Sequence, residues 1–240
     1  MPKFFCISDI HSFYYEMITA LDNAGFDSKN ENHYLLVLGD CFDRGSYALE
    51  VLNYLESLER VIVIKGNHTD LLMKLIKSGI VYGADISNGT FNTVLQISQN
   101  AGTFPEACEE CYQRIKGFVN NMVDYVELKN HIFVHSWIPV KETDCGFEFD
   151  NNWRNADKSS WDNARWYNPF LLAKKGLLPE KTLVFGHWHC SVGWAEKEGR
   201  SEFGEDAKFD TFYGDGYIAI DGCCAHTKKI NCLVIEDDFI

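Results

Sequence analysis

Val37-Leu38-Gly39-Asp40-Cys41-Phe42-Asp43-Arg44-Gly45 (VLGDCFDRG) runs from apolar residues through a glycine into two aspartates three apart and an arginine. The apolar run reads as a strand, so the charges fall where the strand ends. Like charges gathered there beside a cation make either a polar surface turn or a site for a metal and a phosphate. The neighbouring segments decide between the two.

Residues 3–8 (KFFCIS) read as a buried strand, with Asp9 at its end. Residues 12–25 carry apolar side chains at helical spacing and close on a glycine. Residues 34–38 form the next strand and 47–58 a helix, and the β-branched run VIVI (61–64) stops at Gly66-Asn67-His68. Helical spacing resumes over 69–77. This β-α-β-α-β-α opening predicts an α/β fold, with adjacent strands in one sheet and helices packed on it. Further strands are expected at 131–134, ending at His135, and at 182–185, ending at Gly186-His187-Trp188-His189. A helix over 161–175 is interrupted by Pro169, and 196–215 reads as an exposed loop. The late strands 217–220 and 230–235, with no helix between them, look like a hairpin. Residues 1–240 are expected to form one domain, with a helical or irregular insertion at about 78–125.

The formal net charge is −13, from 22 basic and 35 acidic residues, with no basic run. Long nucleic acid is therefore excluded as a partner, because such binding rests on Lys and Arg neutralising phosphates. A small phosphate ligand remains compatible, since a bound cation reverses the local field. Nine cysteines at irregular spacing do not form a disulfide framework. Cys108-Glu109-Glu110-Cys111 is a lone C-x-x-C, read as two thiols one turn apart on a helix rather than a redox or zinc site. No signal-peptide core or membrane-length apolar run occurs, so a reduced cytoplasm is expected.

Five expected strands end in residues able to bind a metal: Asp9 with His11, Asp40 with Asp43, Asn67 with His68, His135, and His187 with His189. Each taken alone reads as a turn, a helix cap or a structural histidine. Together they share one topological place, the carboxyl ends of the strands, where ligands of open α/β sheets collect. His33, His131 and His226 lack that setting and read as structural. The donors are oxygen and nitrogen, with no thiolate. That suits two divalent ions of the Mn, Fe or Zn kind and argues against a structural zinc cluster. One carboxylate can bridge two ions, as in two-metal phosphoesterases.

The motifs SDIHS (Asp9, His11), GDCFDRG (39–45), GNH (66–68), VHS (His135) and GH (His187) occur in the order of the metallophosphoesterase superfamily. The full G-D-x-x-D-R-G resembles the phosphoprotein phosphatase branch, with its bacterial and phage Ser/Thr phosphatases and symmetrical diadenosine tetraphosphate hydrolases. The resemblance implies a calcineurin-like β-sandwich flanked by helices. It also implies a first metal on Asp9, His11 and Asp40, and a second on Asp40, Asn67, His135 and His187. A metal-bridging hydroxide would attack phosphorus, with Arg44 clamping phosphate oxygens beside Asn67. His68 would act as general acid, with Asp43 orienting it. Arg165, in WDNARW, resembles the branch's second phosphate arginine, with Arg154 the nearby competitor.

Three departures stand out. Thr69-Asp70 follow G-N-H where the branch often has Glu; His189 adds a second histidine seen in nuclease branches; and 191–216 resembles an insertion. The implied activity is hydrolysis of a phosphorylated protein or a small phosphoester, foremost a Ser/Thr phosphatase-like phosphomonoesterase. The alternatives are a dinucleoside polyphosphate hydrolase, a nuclease-like phosphodiesterase and a non-catalytic phospho-binding scaffold.

Overall fold

The structure is a computed structural model and describes residues 1–99 and 102–240. Its opening alternates as the periodicity predicts: β1 (Lys3–Ile7), α1 (Tyr14–Ala24), β2 (His33–Val37), α2 (Ala48–Ser57), β3 (Val61–Val63) and α3 (Asn67–Ser78). β1 lies between β2 and the last strand, and β1, β2 and β3 run parallel, with Cys6 opposite Leu36 and Val37 opposite Val63. α1 stops where Gly25 turns left-handed at φ 79° and its N–H reaches the carbonyls of Asp22 and Leu21.

The stretch expected as an insertion is helical, with α4 (Gly83–Ser87), α5 (Thr90–Ser98) and α6 (Phe104–Asn120). Residues 100 and 101 within it lie outside the described set. Cys108 and Cys111 both point into the core from α6, and burial pushes the Cys111 thiol up to about 12, which suits packing rather than thiol chemistry.

The chain continues through β4 (Tyr125–Glu127) and β5 (His131–Val134) to a hairpin of β6 (Val140–Thr143) and β7 (Gly146–Phe149). Then come α7 (Lys158–Ala164), α8 (Pro169–Lys174), β8 (Thr182–Phe185) and α9 (Ser191–Glu198). Pro169 starts α8 rather than breaking a longer helix, because the Asn168 side chain caps it by accepting from Leu171 N–H. The expected loop at 196–215 is corrected at both ends. α9 extends to Glu198, and β9 (Phe212–Tyr213) pairs with β10 (Tyr217–Ala219).

The expected closing hairpin does not form. β10 joins the second sheet, ordered β4-β5-β8-β10-β9. After the short α10 (Cys224–Thr227), β11 (Leu233–Glu236) crosses to pair antiparallel with β1 in the first sheet. Two sequential strands without a long helix between them can pair, but they can equally serve two facing sheets.

Period-two alternation explains the layering. Phe4 and Cys6 of β1 meet Phe133 of β5, Val184 of β8 and Ile220 in a core between the sheets. Phe5 and Ile7 point the other way, into a core with Met17, Leu52, Leu72, Val94 and Ile115 from the helices. On the outer face of the second sheet, Ile132, Val134, Leu183 and Phe185 pack against Trp161 and Phe170. The result is helices, sheet, sheet, helices. Each fully buried Leu, Ile or Phe in these layers contributes ~1.5–3 kcal/mol.

Candidate metal centre and acid pair

The carboxyl ends of strands from both sheets meet. Asp9, beyond β1, accepts the His187 N–H, beyond β8, at 2.9 Å. His135, beyond β5, places Nδ1 2.7 Å from the Leu38 carbonyl oxygen beyond β2, and Nε2 2.8 Å from Asn67 Oδ1 at the start of α3. These turns need unusual backbone. Asp9, His11, Ser12, Asp40, Asp43, Arg44 and His187 all have φ between 48° and 77°, seven of the ten non-glycine residues so placed among the described residues. Each costs of order 1–2 kcal/mol against right-handed backbone. Strained backbone of this kind clusters at functional sites, which makes these turns the candidate site. Two glycines permit the approach: a Cβ on Gly66 would lie 2.0 Å from Asp40 Oδ1, and one on Gly186 2.3 Å from Asp9 Oδ2.

Asp40 is the hub. Its Oδ1 accepts the His68 N–H at 3.0 Å. Its Oδ2 faces His135 Nε2 at 3.4 Å and the Nε2 atoms of His11 and His68 at 3.9 Å each. His11 Nε2 also lies 3.8 Å from Asp9 Oδ1. The 3.8 and 3.9 Å separations are too long for hydrogen bonds, so ring nitrogens and carboxylate oxygens converge without bonding one another. Two ligand triplets, His11–Asp40–His68 and Asp40–His135–His187, each have donor atoms within 4.8 Å of one another, and they share Asp40.

The electrostatics suit cations. Burial raises the Asp9 carboxyl, the Asp40 charge raises it further, and it reaches about 7. Burial pushes Asp40 up as well, but the surrounding imidazoles, His135 first, hold it well below the usual carboxylate range. Burial, with Arg44 beside His11 and His135 beside His187, brings both histidines down to about 3. Imidazole nitrogens, neutral at His11 and His187, together with buried carboxylate oxygens make a donor set suited to a borderline divalent ion. The residues present therefore fit two such ions, with Asp40 able to serve both.

His68 differs. Its Nδ1 lies 2.7 Å from Asp43 Oδ2, and its Nε2 lies 3.4 Å from Arg44 Nη2. Burial disfavours its charge, yet Asp40 and Asp43 outweigh that and raise its pKa above the ordinary value. Asp43 is wholly buried, whereas Arg44 is exposed and open to a ligand.

The remaining candidates lie elsewhere. The Arg165 guanidinium is buried and paired with Asp70 at 3.0 Å, Asp124 at 2.9 Å and Asp162. Asp70 thus ties the first turn of α3 to the end of α7. Arg154 forks onto Glu127 at 2.8 and 2.7 Å, stacks on Trp153 and pairs with Glu180. His189 sits outside both triplets, with Nδ1 2.7 Å from Ser191 Oγ and Nε2 3.2 Å from Glu202 Oε1.

Three residues escaped the sequence reading. Asp221 follows β10 as Asp9 follows β1; it is buried, and burial with the Asp9 charge raises its pKa strongly. The strand-end pattern contained that signal. Thr90 and Thr93 of α5 both bond the Asp43 carboxylate. Their only local mark is spacing on one helix face.

Two curated relatives share this chain's sequence character. The bis(5'-nucleosyl)-tetraphosphatase, symmetrical, of Hamiltonella defensa is 23% identical over 233 residues, covering 79% of this chain and 84% of the relative. The protein of the same name from Buchnera aphidicola is 41% identical over 75 residues, but those cover 31% of this chain and 26% of that relative. Among solved structures, a Saccharomyces cerevisiae protein serine/threonine phosphatase superposes with a TM-score of 0.53 at 12% identity, covering 100% of this chain and 80% of that one. The calcineurin-like phosphoesterase family model matches residues 2–227, and the chain belongs to that family.

Proposed function

We propose that this protein is a metal-dependent phosphomonoesterase whose substrate class is phosphoserine or phosphothreonine in proteins. The observation that carries the reading is the His68–Asp43 pair at 2.7 Å beside the Asp40-centred ligands and the exposed Arg44. Asp9, His11, Asp40, Asn67, His135 and His187 would hold two divalent ions of the Mn, Fe or Zn kind. Bound there, the ions would supply positive charge against the phosphate and activation of water. Arg44 binds phosphate oxygens through its planar guanidinium. Asp43 accepts from His68 Nδ1–H, which turns Nε2 toward Arg44 and Asp40. A proton held at Nε2 passes to the leaving oxygen as its bond to phosphorus breaks. That proton matters most for an alkoxide leaving group, the kind a serine or threonine ester provides.

A second reading is favoured by the names of the curated relatives: hydrolysis of dinucleoside tetraphosphates at the same centre. The two differ in what leaves, since a nucleotide phosphate departs without help from an acid. The negative net charge opposes long nucleic acid as substrate in either case. Nine free thiols support a reducing compartment such as the cytoplasm. Both sheets supply ligands, which supports one domain over 1–240.

The test is phosphate release from a phosphothreonine peptide by metal-stripped protein, with and without manganese, alongside His68→Asn. Manganese-dependent release that falls in His68→Asn supports the first reading. No release from the peptide, with nucleoside diphosphate formed from diadenosine tetraphosphate, replaces it with the second.

A further inference from the structure

The acid pair is held from outside the motifs. Asp43 Oδ2 takes two donors, His68 Nδ1 and Thr90 Oγ1, each at 2.7 Å. Its Oδ1 takes Thr93 Oγ1 at 2.9 Å, and the same Thr93 hydroxyl oxygen accepts the Asp43 backbone N–H at 3.0 Å. Asp43, Thr90 and Thr93 are all 0% exposed, so water cannot substitute for a lost hydroxyl. A carboxylate with one partner can rotate about its Cβ–Cγ bond. A carboxylate with a fixed donor on each oxygen cannot do so without leaving a buried polar group unpaired.

The same insertion grips the rest of the D-R-G turn. The Asn88 carbonyl accepts the Arg44 N–H at 2.9 Å. Gln96 accepts from Ala48 N–H at 2.8 Å and donates to the Gly45 carbonyl at 3.2 Å. A Cβ on Gly89 would lie 2.5 Å from Arg44 N, so the α4–α5 junction packs directly on that backbone. Asp43 and Arg44 are left-handed, at φ 77° and 60°, and these contacts keep them there.

We propose that Thr90 and Thr93 are positioning residues for the His68–Asp43 acid pair, and that the helical insertion exists in part to present them. Their hydroxyls fix the carboxylate plane, the carboxylate fixes the imidazole, and Nε2 is thereby aimed at the leaving oxygen. The inference rests on the phosphomonoesterase reading for its kinetic consequence, but the placement of His68 can be read without turnover.

Thr→Val keeps the shape and removes the hydroxyl. The double variant Thr90→Val/Thr93→Val is compared with wild type and Thr90→Ser/Thr93→Ser on an alkyl and an aryl phosphate, with metal content measured in each. General acids contribute ~10²–10⁴-fold, so the Val variant should lose roughly 10- to 100-fold on the alkyl ester and less than about 3-fold on the aryl ester. The Ser variant, which restores both donors, should recover most of the loss. An equal loss on both esters, or no loss, overturns the proposal.

The second measurement is proton NMR of the metal-free protein, where a hydrogen-bonded His68 Nδ1–H gives a low-field signal. The signal should be sharp in wild type and Ser and lost or broadened in Val. Its persistence in Val overturns the positioning role even if wild type hydrolyses neither ester, an outcome that would separately remove the phosphomonoesterase reading.

Discussion

Arg165→Met isolates an interaction whose size follows from its geometry. The Arg165 side chain is 4% exposed, while its partners Asp70, Asp124 and Asp162 are 37%, 33% and 36% exposed. Fully exposed pairs contribute ~0–1 kcal/mol, whereas removing one partner of a buried pair costs ~3–5 kcal/mol. Here the cation is buried and each carboxylate is screened by solvent, so about 1 kcal/mol per contact and ~2–3 kcal/mol in all is reasonable. Methionine keeps most of the packing but leaves three carboxylates facing one another. For a chain of this size each kcal/mol lowers the melting midpoint by ~2–4 °C, which gives a drop of roughly 5–10 °C. The assay is thermal unfolding of the variant with its metal content matched to wild type. Adding Asp70→Asn to Arg165→Met should recover part of the drop, because it relieves the repulsion. A drop below about 2 °C, with no coupling in that cycle, would refute the reasoning. Steady-state kinetics of the same variant test the phosphate role implied for Arg165: a raised KM for phosphoester at unchanged kcat would show uniform substrate binding lost.

Asp40→Asn should abolish binding of at least one metal ion and reduce turnover at least about 100-fold, because Asp40 is common to both triplets. Metal analysis of purified protein checks this, and a fully metallated, active variant contradicts it. Gly66→Ala should likewise deplete metal, since its Cβ would press on Asp40 Oδ1 from 2.0 Å; elemental analysis together with an unfolding curve separates displaced ligand from lost fold. Metal uptake should strengthen as pH rises through about 7, because Asp9 holds its proton below that point and must release it to bind a cation. His11 and His187, at about 3, are already neutral there and contribute no proton release. Calorimetric titration at about pH 6 and pH 8, in buffers of different ionisation enthalpy, should show proton release that is larger at the lower pH; pH-independent release excludes Asp9 as the group.

The fold's opening was legible because β1 to α3 switch between short unbroken apolar runs and helical spacing, and close on residues such as Gly25. Which sheet a late strand joins is a different matter. β10 and β11 are each short apolar runs, and nothing local in them says that Leu233–Glu236 will seek β1 across the sandwich. The metal candidates were legible because Asp and His recur at strand ends. Asp221 obeys the same rule but lacks a neighbouring motif. Thr90 and Thr93 are ordinary helix residues in sequence, and only the docking of α5 against the D-R-G turn gives them a chemical setting. The commitment of Arg165 to Asp70 of α3 and Asp124 in the loop before β4 is likewise long-range, and only its third partner, Asp162 of α7, is local.

The meeting of strand ends from both sheets also sets a timetable. Asp9 and His187, in direct contact in the finished protein, are 178 residues apart in the chain. At ~5–20 residues per second, a ribosome needs roughly 10–40 s to travel between them. When Asp40 emerges, neither His135 nor His187 has been made, and β1 has no partner on the edge that β11 later covers. The nascent chain therefore cannot assemble its complete ligand set early. His187, the last residue of the two triplets, joins the set only after β1 to β8 and the helices between them have emerged.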